Sequence, residues 1–241
     1  YENAQGQMGV SDFFTELEAL GLRDKEDSWH NPNNYGPGAI TKDAMPSEMP
    51  YEHTQEMWSA RQALRFIDEA DGDEPFCIQV AFQKPHHPLL PQPKFWEMYP
   101  EDLKLPTTVD QDPSHRPPHF QKAWQALRSP RQWTYGKEGE DYHEGARRAW
   151  RGTLACVTQC DDVFGHLLAG LEQRGLTDNT IVVYHSDHGA YHGIHGIIEK
   201  APGICSDAVC RVPMLWRLPG ATKAGHVSNA LVENVDVAPT I

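Results

Sequence analysis

The sequence predicts an α/β fold in which helices and strands alternate along the chain. Apolar residues recur at helical spacing over residues 52–70 and 145–174. Two short apolar runs, residues 76–82 and 180–184, have the length of buried strands. Each run leads directly into a group of polar, chemically active side chains, which is where ligands bind in open α/β sheets.

Length and composition indicate one globular domain. The chain has 241 residues, of which 39% are hydrophobic and 23% charged, as in folded rather than disordered proteins. Its formal net charge of −13 argues against a nucleic-acid partner, which would require a basic surface. No stretch approaches the roughly 20 apolar residues of a membrane span. Because the chain starts at Tyr1 and stops just after a helix start, we expect residues 1–241 to be a single domain truncated at both ends.

The first predicted helix begins at the N-cap Ser11 and ends at Leu20, and Gly21 follows in the left-handed conformation. Residues 29–50 are rich in Pro, Gly and Asn and are expected to form a loop. The next predicted helix spans about residues 52–70. Its buried face is expected to contain Met57, Ala60, Leu64 and Ile67.

The second half of the chain alternates in the same way. Residues 76–82 are predicted to form a strand that is buried on both faces. Residues 100–142, dense in Pro, Gln and His, are expected to form a long surface excursion beside the substrate cleft. A long helix over about residues 145–174 ends before Gly175. Its buried face is expected to include Trp150, Leu154, Val157, Val163, Leu167 and Leu171, and two strands follow at residues 180–184 and 212–218.

Asp187 and His188 directly follow the strand at residues 180–184. A carboxylate and an imidazole at a strand tip suit a divalent cation. An isolated Asp-His-Gly would more often be an ordinary turn. Here the neighbouring residues add further candidate side chains: His185, His192, His195 and Lys200. The spacing of His192 and His195 fits hydrogen bonding to substrate or structure, or no role, equally well.

The second polar group consists of Lys84, directly before Pro85, and of His86 and His87, between Pro85 and Pro88. Proline restricts both its own backbone and that of the preceding residue, so these side chains are expected to have fixed directions. A positioned imidazole can pair with an anionic oxygen or protonate a leaving group. The alternative is a surface loop in which proline simply ends the strand.

The five cysteines show no CxxC spacing, so neither a zinc ribbon nor a disulfide scaffold is indicated. Most are expected to be small buried side chains. A disulfide between Cys205 and Cys210 is left open.

Taken in order, these motifs resemble those of the type I sulfatases, a family of the alkaline phosphatase superfamily. The similar segments are PFCIQVAFQKPHHPLLPQPKFWEMYP, DDVFGHLLAGLEQRGLTDNTIVVYHSDHGAYHGIHGIIEK, RVPMLWRLPG and VDVAPTI. The Ser-Asp-His-Gly element alone is shared across the superfamily, whereas the ordered set is specific. The resemblance implies an alkaline phosphatase-like three-layer α/β/α sandwich with a mostly parallel central sheet and helices on both faces.

The resemblance also implies site residues. Asp187 and His188 would bind a divalent cation, which is usually calcium in sulfatases. Many sulfatases have Asn at the second position, whereas His is found in the subgroup similar to iduronate sulfatase and in phosphonate monoester hydrolases. His86 and Lys200 would be catalytic, His86 on the sulfate or the leaving group and Lys200 on the ester.

Two further residues, Lys84 and His195, are expected to contact the substrate. A sulfate ester spreads negative charge over its oxygens, so a cation and fixed positive donors would lower the barrier to S–O cleavage. The expected substrate is a sulfated glycan or a small organic sulfate such as choline sulfate or an aryl sulfate. Its identity depends on the loops at residues 29–50 and 100–142.

The chain also departs from the family pattern. The family nucleophile is formylglycine, made from Cys or Ser in a Cys/Ser-x-Pro-Ser/Ala-Arg motif, and no cysteine here has that context. We expect that motif, and paired aspartates that complete the metal site, upstream of Tyr1, so this chain alone is expected to be inactive. Ile194 stands where many relatives have an acidic residue. The family resemblance suggests a periplasmic, secreted or lysosomal protein.

Two other functions stay open from the sequence. A phosphonate monoester or phosphodiester hydrolase of the same superfamily would share Asp187 and His188. A non-catalytic binding protein could keep the fold without a nucleophile.

Overall fold

The computed structural model describes residues 12–27, 44–70, 72, 74–127, 141–197, 200, 205–221 and 223–241. The predicted N-cap Ser11, much of the loop at residues 29–50 and residues 128–140 of the excursion lie outside this part of the chain. Within it, the helices are α1 (Asp12–Ala19), α2 (Gln55–Glu69), α3 (Pro93–Trp96), α4 (Pro118–Leu127), α5 (Tyr142–Gln173), α6 (Asp207–Cys210) and α7 (Val237–Thr240). The strands are β1 (Val182–His185) and β2 (Met214–Arg217).

The three long predicted helices are confirmed as α1, α2 and α5. Helix α5 begins three residues earlier than expected because the side chain of Asp141 caps it, accepting from the backbone N–H groups of His143 and Glu144. Gly175 follows it with φ of 68° and Gly21 follows α1 with φ of 67°, the left-handed conformation predicted for both. The sequence therefore predicted the C-terminal ends of α1 and α5, which these two glycines follow.

The buried faces of α2 and α5 differ from the predicted ones. In α2 the buried side chains are Gln55, Glu56, Trp58, Ala60 and Ala63, so only Ala60 of the expected face is buried. In α5 the buried residues are mainly small: Gly145, Ala146, Ala149, Gly152, Thr153, Ala155, Cys156, Gln159, Cys160, Val163, Gly170 and Leu171. The larger Val157 is 44% exposed. Val163 and Leu171 of the predicted α5 face are buried. The rest of the buried face was missed because the prediction followed large apolar side chains, whereas small residues let neighbouring segments approach α5 closely.

Three hydrophobic clusters form the core of the described residues. Helix α1 packs on α2 through Phe13, Phe14, Leu17, Met49 and Trp58. A second cluster joins α5 to the segment after Pro88, through Ala44, Leu89, Ala146, Ala149 and Cys156. A third cluster, formed by Phe120, Tyr191 and Ile197, attaches α4 to the loop that follows β1. The predicted surface excursion at residues 100–142 thus contains a helix that packs on this loop.

Strands β1 and β2 form an antiparallel pair in which Val182 faces Arg217 and His185 faces Met214. The strands predicted at residues 180–184 and 212–218 are therefore confirmed with slightly different bounds. Within the described residues, the sheet consists of β1 and β2, and a mostly parallel central sheet does not occur. Ala44 and Leu89 form an isolated parallel bridge.

The prediction of a doubly buried strand at residues 76–82 was wrong for this structure. The segment forms no ladder, and its residues alternate between exposed and half-buried. A strand buried on both faces needs neighbours, and the described residues supply none here.

All five cysteines carry free thiols, including Cys205 and Cys210. No helix in the described ranges has the length and apolar character needed to cross a bilayer.

Gly152 marks a close approach of the segments at Ala44 and Leu89 to α5. A Cβ atom at this position would lie 2.9 Å from Leu89 Cβ and 3.1 Å from Ala44 Cβ. Gly152→Ala is expected to lower the free energy of unfolding by about 1–3 kcal/mol because the well-packed contact must open. Urea unfolding measures the change. Gly165→Ala on the same helix is the matched control: its Cβ meets nothing within 4 Å, so it should stabilise the protein by about 0.5–1 kcal/mol. Equal effects of the two variants would contradict the packing assigned to Gly152.

Candidate active site

The tip that follows β1 presents Asp187 to solvent. Its side chain is 84% exposed. The Ser186 hydroxyl donates to the His188 carbonyl over 2.9 Å, and the His188 backbone N–H donates to Asp187 Oδ1 over 2.9 Å. These short-range bonds fix the turn and leave the carboxylate pointing outward.

His188 is held in a form suited to metal binding. Its Nδ1 lies 2.9 Å from the Gly189 carbonyl oxygen, which can only accept, so Nδ1 carries the proton. In the neutral ring the lone pair is therefore on Nε2. Lys200 Nζ lies 3.1 Å from Nε2, and Asp187 Oδ2 lies 3.5 Å from it. The structure thus gathers Asp187, His188 and Lys200 into one cluster, as the sequence predicted.

The donors at this tip fit part of a divalent cation site. A carboxylate and a neutral imidazole are both common metal donors. In this structure the Lys200 ammonium donates to His188 Nε2, the atom that would bind a cation. Calcium takes six to eight oxygen ligands, more than this pair supplies. Within the described ranges, no group of three or more His, Cys, Asp or Glu side chains could hold a metal. Asp187 and His188 therefore fit as two ligands of a site that needs others.

His86 is oriented by its neighbour. Its Nδ1 lies 2.7 Å from the His87 carbonyl oxygen, and the two imidazole rings stack with centroids 4.2 Å apart. The proton is again on Nδ1, so the lone pair of the neutral ring is on Nε2. His86 lines an open cleft that also includes His53, Gln83 and Pro88.

Lys84 was expected to contact the substrate, but its side chain lies inside the protein. Its side chain is 6% exposed, and its ammonium group is 3.3 Å from Glu56 Oε2 and 3.4 Å from Asp27 Oδ2. Burial alone would lower the pKa of Lys84, but the two carboxylates outweigh it and raise this pKa. The charge of Lys84 is therefore already neutralised inside the protein. Its role as a substrate donor stays a prediction, and the observed contacts indicate a structural role.

His195 and His192 connect the loop after β1 to other elements. His195 Nδ1 lies 2.6 Å from Gln111 Oε1, and its backbone N–H donates to Thr108 Oγ1. Burial, with a smaller effect of Arg116, lowers the pKa of His195. His192 Nδ1 lies 3.2 Å from Thr153 Oγ1 on α5. These contacts are structural, and substrate binding by His195 stays a prediction.

The turn that contains Lys84 and the end of strand β1 both contact one helical turn of α5. Cys160 Sγ donates to the Lys84 carbonyl over 3.3 Å, and the Phe164 ring lies 5.1 Å from that of Tyr184 at the end of β1. Residues four apart lie on the same face of a helix. Helix α5 therefore anchors the turn that bears His86 and the strand that leads to Asp187 on a common face.

Sequence reasoning missed Asn234 and Glu56. The amide of Asn234 donates to the Ser186 carbonyl over 2.8 Å and to the Asp187 carbonyl over 3.2 Å, so the C-terminal segment clamps the tip. No local pattern reveals such a contact across 47 residues. Glu56 is fully buried. The sequence did not predict this, because the face of α2 that was expected to be buried does not include Glu56.

The fold is shown by solved structures. A phosphonate monoester hydrolase from Silicibacter pomeroyi aligns with a TM-score of 0.71 and 21% identity, over 97% of this chain and 46% of that one. The chain thus has the alkaline phosphatase-like α/β fold predicted from the sequence. The sequence model of the Sulfatase family matches residues 2–241, and the chain belongs to the sulfatase family.

Two curated relatives are also similar to this chain in sequence. Multifunctional alkaline phosphatase superfamily protein PehA of Trinickia caryophylli is 28% identical over 224 residues, 90% of this chain and 42% of PehA. N-acetylglucosamine-6-O-sulfatase of Bacteroides thetaiotaomicron is 30% identical over 230 residues, 74% of this chain and 40% of that enzyme. The chain therefore spans about two fifths of the length of the curated relatives it matches.

The clamp by Asn234 is testable. Asn234→Leu keeps a similar size but removes both donated hydrogen bonds, each of which contributes about 1 kcal/mol. We expect the backbone amide of His188 to exchange with solvent about tenfold faster, measured by NMR hydrogen exchange. Ser228→Ala removes a bond to the Ala230 N–H within the same segment and should leave His188 unchanged. Unchanged exchange in Asn234→Leu would rule out the clamp.

The buried Asp27 should make stability depend on pH. Burial outweighs the opposing effects of Lys84 and the Ser47 hydrogen bond and raises the pKa of Asp27 from 3.8 to about 6. Between these values the unfolded chain has lost the proton that the folded chain keeps, so stability falls as pH rises from about 4 through 6. The loss is up to about 3 kcal/mol.

Urea unfolding of the wild type and Asp27→Asn at pH 4, 5, 6 and 7 tests this. The wild type should lose stability relative to Asp27→Asn across this range, because the amide cannot titrate. The exposed Asp24→Asn is the matched control and should follow the wild type. A constant difference between the wild type and Asp27→Asn would be inconsistent with a raised pKa.

Proposed function

We propose that the protein hydrolyses sulfate monoesters with the help of a divalent cation. The observation that carries this proposal is the cluster of Asp187, His188 and Lys200 at the end of β1, in a chain of the sulfatase family. The cluster combines two metal donors with a cationic donor that can meet a sulfate oxygen. Its position after a strand is where α/β sheets bind ligands.

Each residue has a chemical task in this proposal. Asp187 and His188 hold the cation, which when bound supplies electrostatic stabilisation of the charge that develops on the sulfate oxygens. Lys200 donates a hydrogen bond to an oxygen of the ester group. As an imidazolium, His86 donates its Nε2 proton to the leaving oxygen, while the His87 carbonyl accepts from Nδ1 and fixes the ring.

The nucleophile is proposed to lie outside residues 1–241. A formylglycine would be supplied by the N-terminal part of the sulfatase domain, together with further metal ligands. Residues 1–241 alone are therefore proposed to be inactive.

The proposed substrate is a sulfated glycan or a small organic sulfate. Similarity to N-acetylglucosamine-6-O-sulfatase of Bacteroides thetaiotaomicron supports the glycan class. The excursion that contains α4 contacts His195 through Gln111, so it lies against the loop that leads to Lys200. It is therefore a candidate for selecting the group attached to the sulfate.

A second candidate is hydrolysis of phosphonate monoesters. The structural likeness to the phosphonate monoester hydrolase of Silicibacter pomeroyi covers nearly the whole chain. In the family resemblance, phosphonate monoester hydrolases also have His at the position of His188, the second metal ligand. Tetrahedral sulfate and phosphonate esters both need a cation and positive donors, so these residues alone serve either reaction.

Turnover by the full-length protein tests the proposal. With calcium present we expect kcat/KM for 4-nitrophenyl sulfate to exceed that for 4-nitrophenyl phenylphosphonate. Lys200→Met is expected to lower kcat/KM for the sulfate by about 10²–10³, the usual effect of losing one transition-state donor. Lys223→Met, at an exposed lysine near the same end of the chain, should retain wild-type activity.

Removal of metal and of the rest of the domain gives two further controls. A chelator should abolish turnover and calcium should restore it. Residues 1–241 alone should show no turnover. Faster hydrolysis of the phosphonate would favour the second candidate, and binding of sulfated sugars without turnover of either ester would favour a non-catalytic protein.

A further inference from the structure

Glu56 contacts Lys84 at two points. Its Oε1 accepts the backbone N–H of Lys84 over 3.2 Å, and its Oε2 lies 3.3 Å from the Lys84 ammonium. Glu56 is 0% exposed and Lys84 is 7% exposed. A buried carboxylate that contacts both the backbone and the side chain of one residue restricts its position strongly, because both hydrogen bonds strengthen in a dry interior.

Lys84 is held from other sides as well. Its carbonyl accepts from Cys160 Sγ on α5 over 3.3 Å. Its ammonium group also faces Asp27, whose carboxylate accepts from the Ser47 hydroxyl over 2.7 Å. The backbone N–H, the carbonyl and the side chain of Lys84 are thus fixed by three different elements.

This fixed residue lies two positions before His86. The His86 backbone N–H donates to the Gln83 carbonyl over 2.8 Å, so the chain from Gln83 to His86 closes into a turn around Lys84. Any shift of Lys84 would move this turn and with it the His86 imidazole. Misplacement of a catalytic group by about 1 Å can cost about 10²-fold in rate.

We propose that Glu56 is a positioning residue for His86. It acts through Lys84 and does not touch the substrate. Glu56 rather than Asp27 has this role because it contacts the Lys84 backbone in addition to the ammonium group. This inference rests on the proposed function, in which His86 serves the leaving oxygen.

The test uses two substitutions of Glu56 in the full-length protein. Glu56→Leu removes both contacts, and Glu56→Gln keeps an oxygen that can accept the Lys84 N–H. We expect Glu56→Leu to lower kcat for 4-nitrophenyl sulfate about 100-fold with KM changed less than about threefold. Glu56→Gln should lose about tenfold or less, a partial rescue. The imidazole NMR resonances of His86 should shift in Glu56→Leu.

The matched control is Trp58→Phe on the same helix. It removes the hydrogen bond from Trp58 Nε1 to Glu16 Oε2 and disturbs α2 without touching the turn at Lys84. After correction for the folded fraction, its kcat should stay within twofold of wild type and its His86 resonances should not move. An equal loss of kcat in Trp58→Phe would show that Glu56 has only a structural role and overturn the proposal.

A folding failure does not prevent the test. If Glu56→Leu prevents folding, adding Lys84→Met together with Asp27→Asn removes the two charges that remain in this cluster, and apolar or neutral replacement of buried charges is often tolerated. The triple variant should fold and remain slow, with shifted His86 resonances. Wild-type kcat and unshifted resonances in the folded variant would overturn the proposal.

The two proposals fail in different ways. If the wild type does not hydrolyse sulfate esters, the proposed function is wrong. The His86 resonances of Glu56→Leu and Trp58→Phe then still decide whether Glu56 positions His86.

Discussion

The close packing of other segments against helix α5 is the constraint on which the rest of the structure depends. Small residues on its buried face, such as Ala149, Gly152 and Cys156, remove the side-chain volume that would keep neighbours away. Leu89 fills the space beside Gly152. The same helix accepts the turn of Lys84 at Cys160 and the end of β1 at Phe164. One rigid element therefore sets the separation between the two polar turns.

The polar turns are fixed by hydrogen bonds and charges rather than by apolar packing alone. The turn of His86 depends on a buried lysine between two carboxylates, an arrangement that costs desolvation and is stable only when every charge is paired. The tip of Asp187 instead stays exposed and is held by backbone bonds and Asn234. The contrast suits their proposed tasks, since a metal ligand must be reachable whereas a proton donor must be aimed.

The sequence predicted the parts of the fold that have local signals. The C-terminal ends of α1 and α5 followed from Gly21 and Gly175, because capping depends on neighbours in the chain. The run at residues 180–184 predicted β1, and its polar ending predicted the cluster of Asp187, His188 and Lys200. Family membership followed from the order of several motifs.

Contacts between distant segments could not be predicted in this way. The burial of Lys84 depends on Glu56 and Asp27, which lie 28 and 57 residues away. A lysine in a proline-rich segment instead suggests a surface turn. The buried face of α2 differs from the predicted one for the same reason. A buried glutamate needs a partner from a distant segment, and local spacing does not reveal that partner. Residues 76–82 were predicted as a strand from their apolarity, but a strand also requires a neighbour.

The central claim is that the turn of His86 and the tip of Asp187 face one anion site. The most direct measurement is a crystal structure of the full-length protein with bound inorganic sulfate. A single sulfate within hydrogen-bonding distance of both His86 Nε2 and Lys200 Nζ is the predicted result. A sulfate bound by Lys200 while His86 faces a separate cleft would contradict the account.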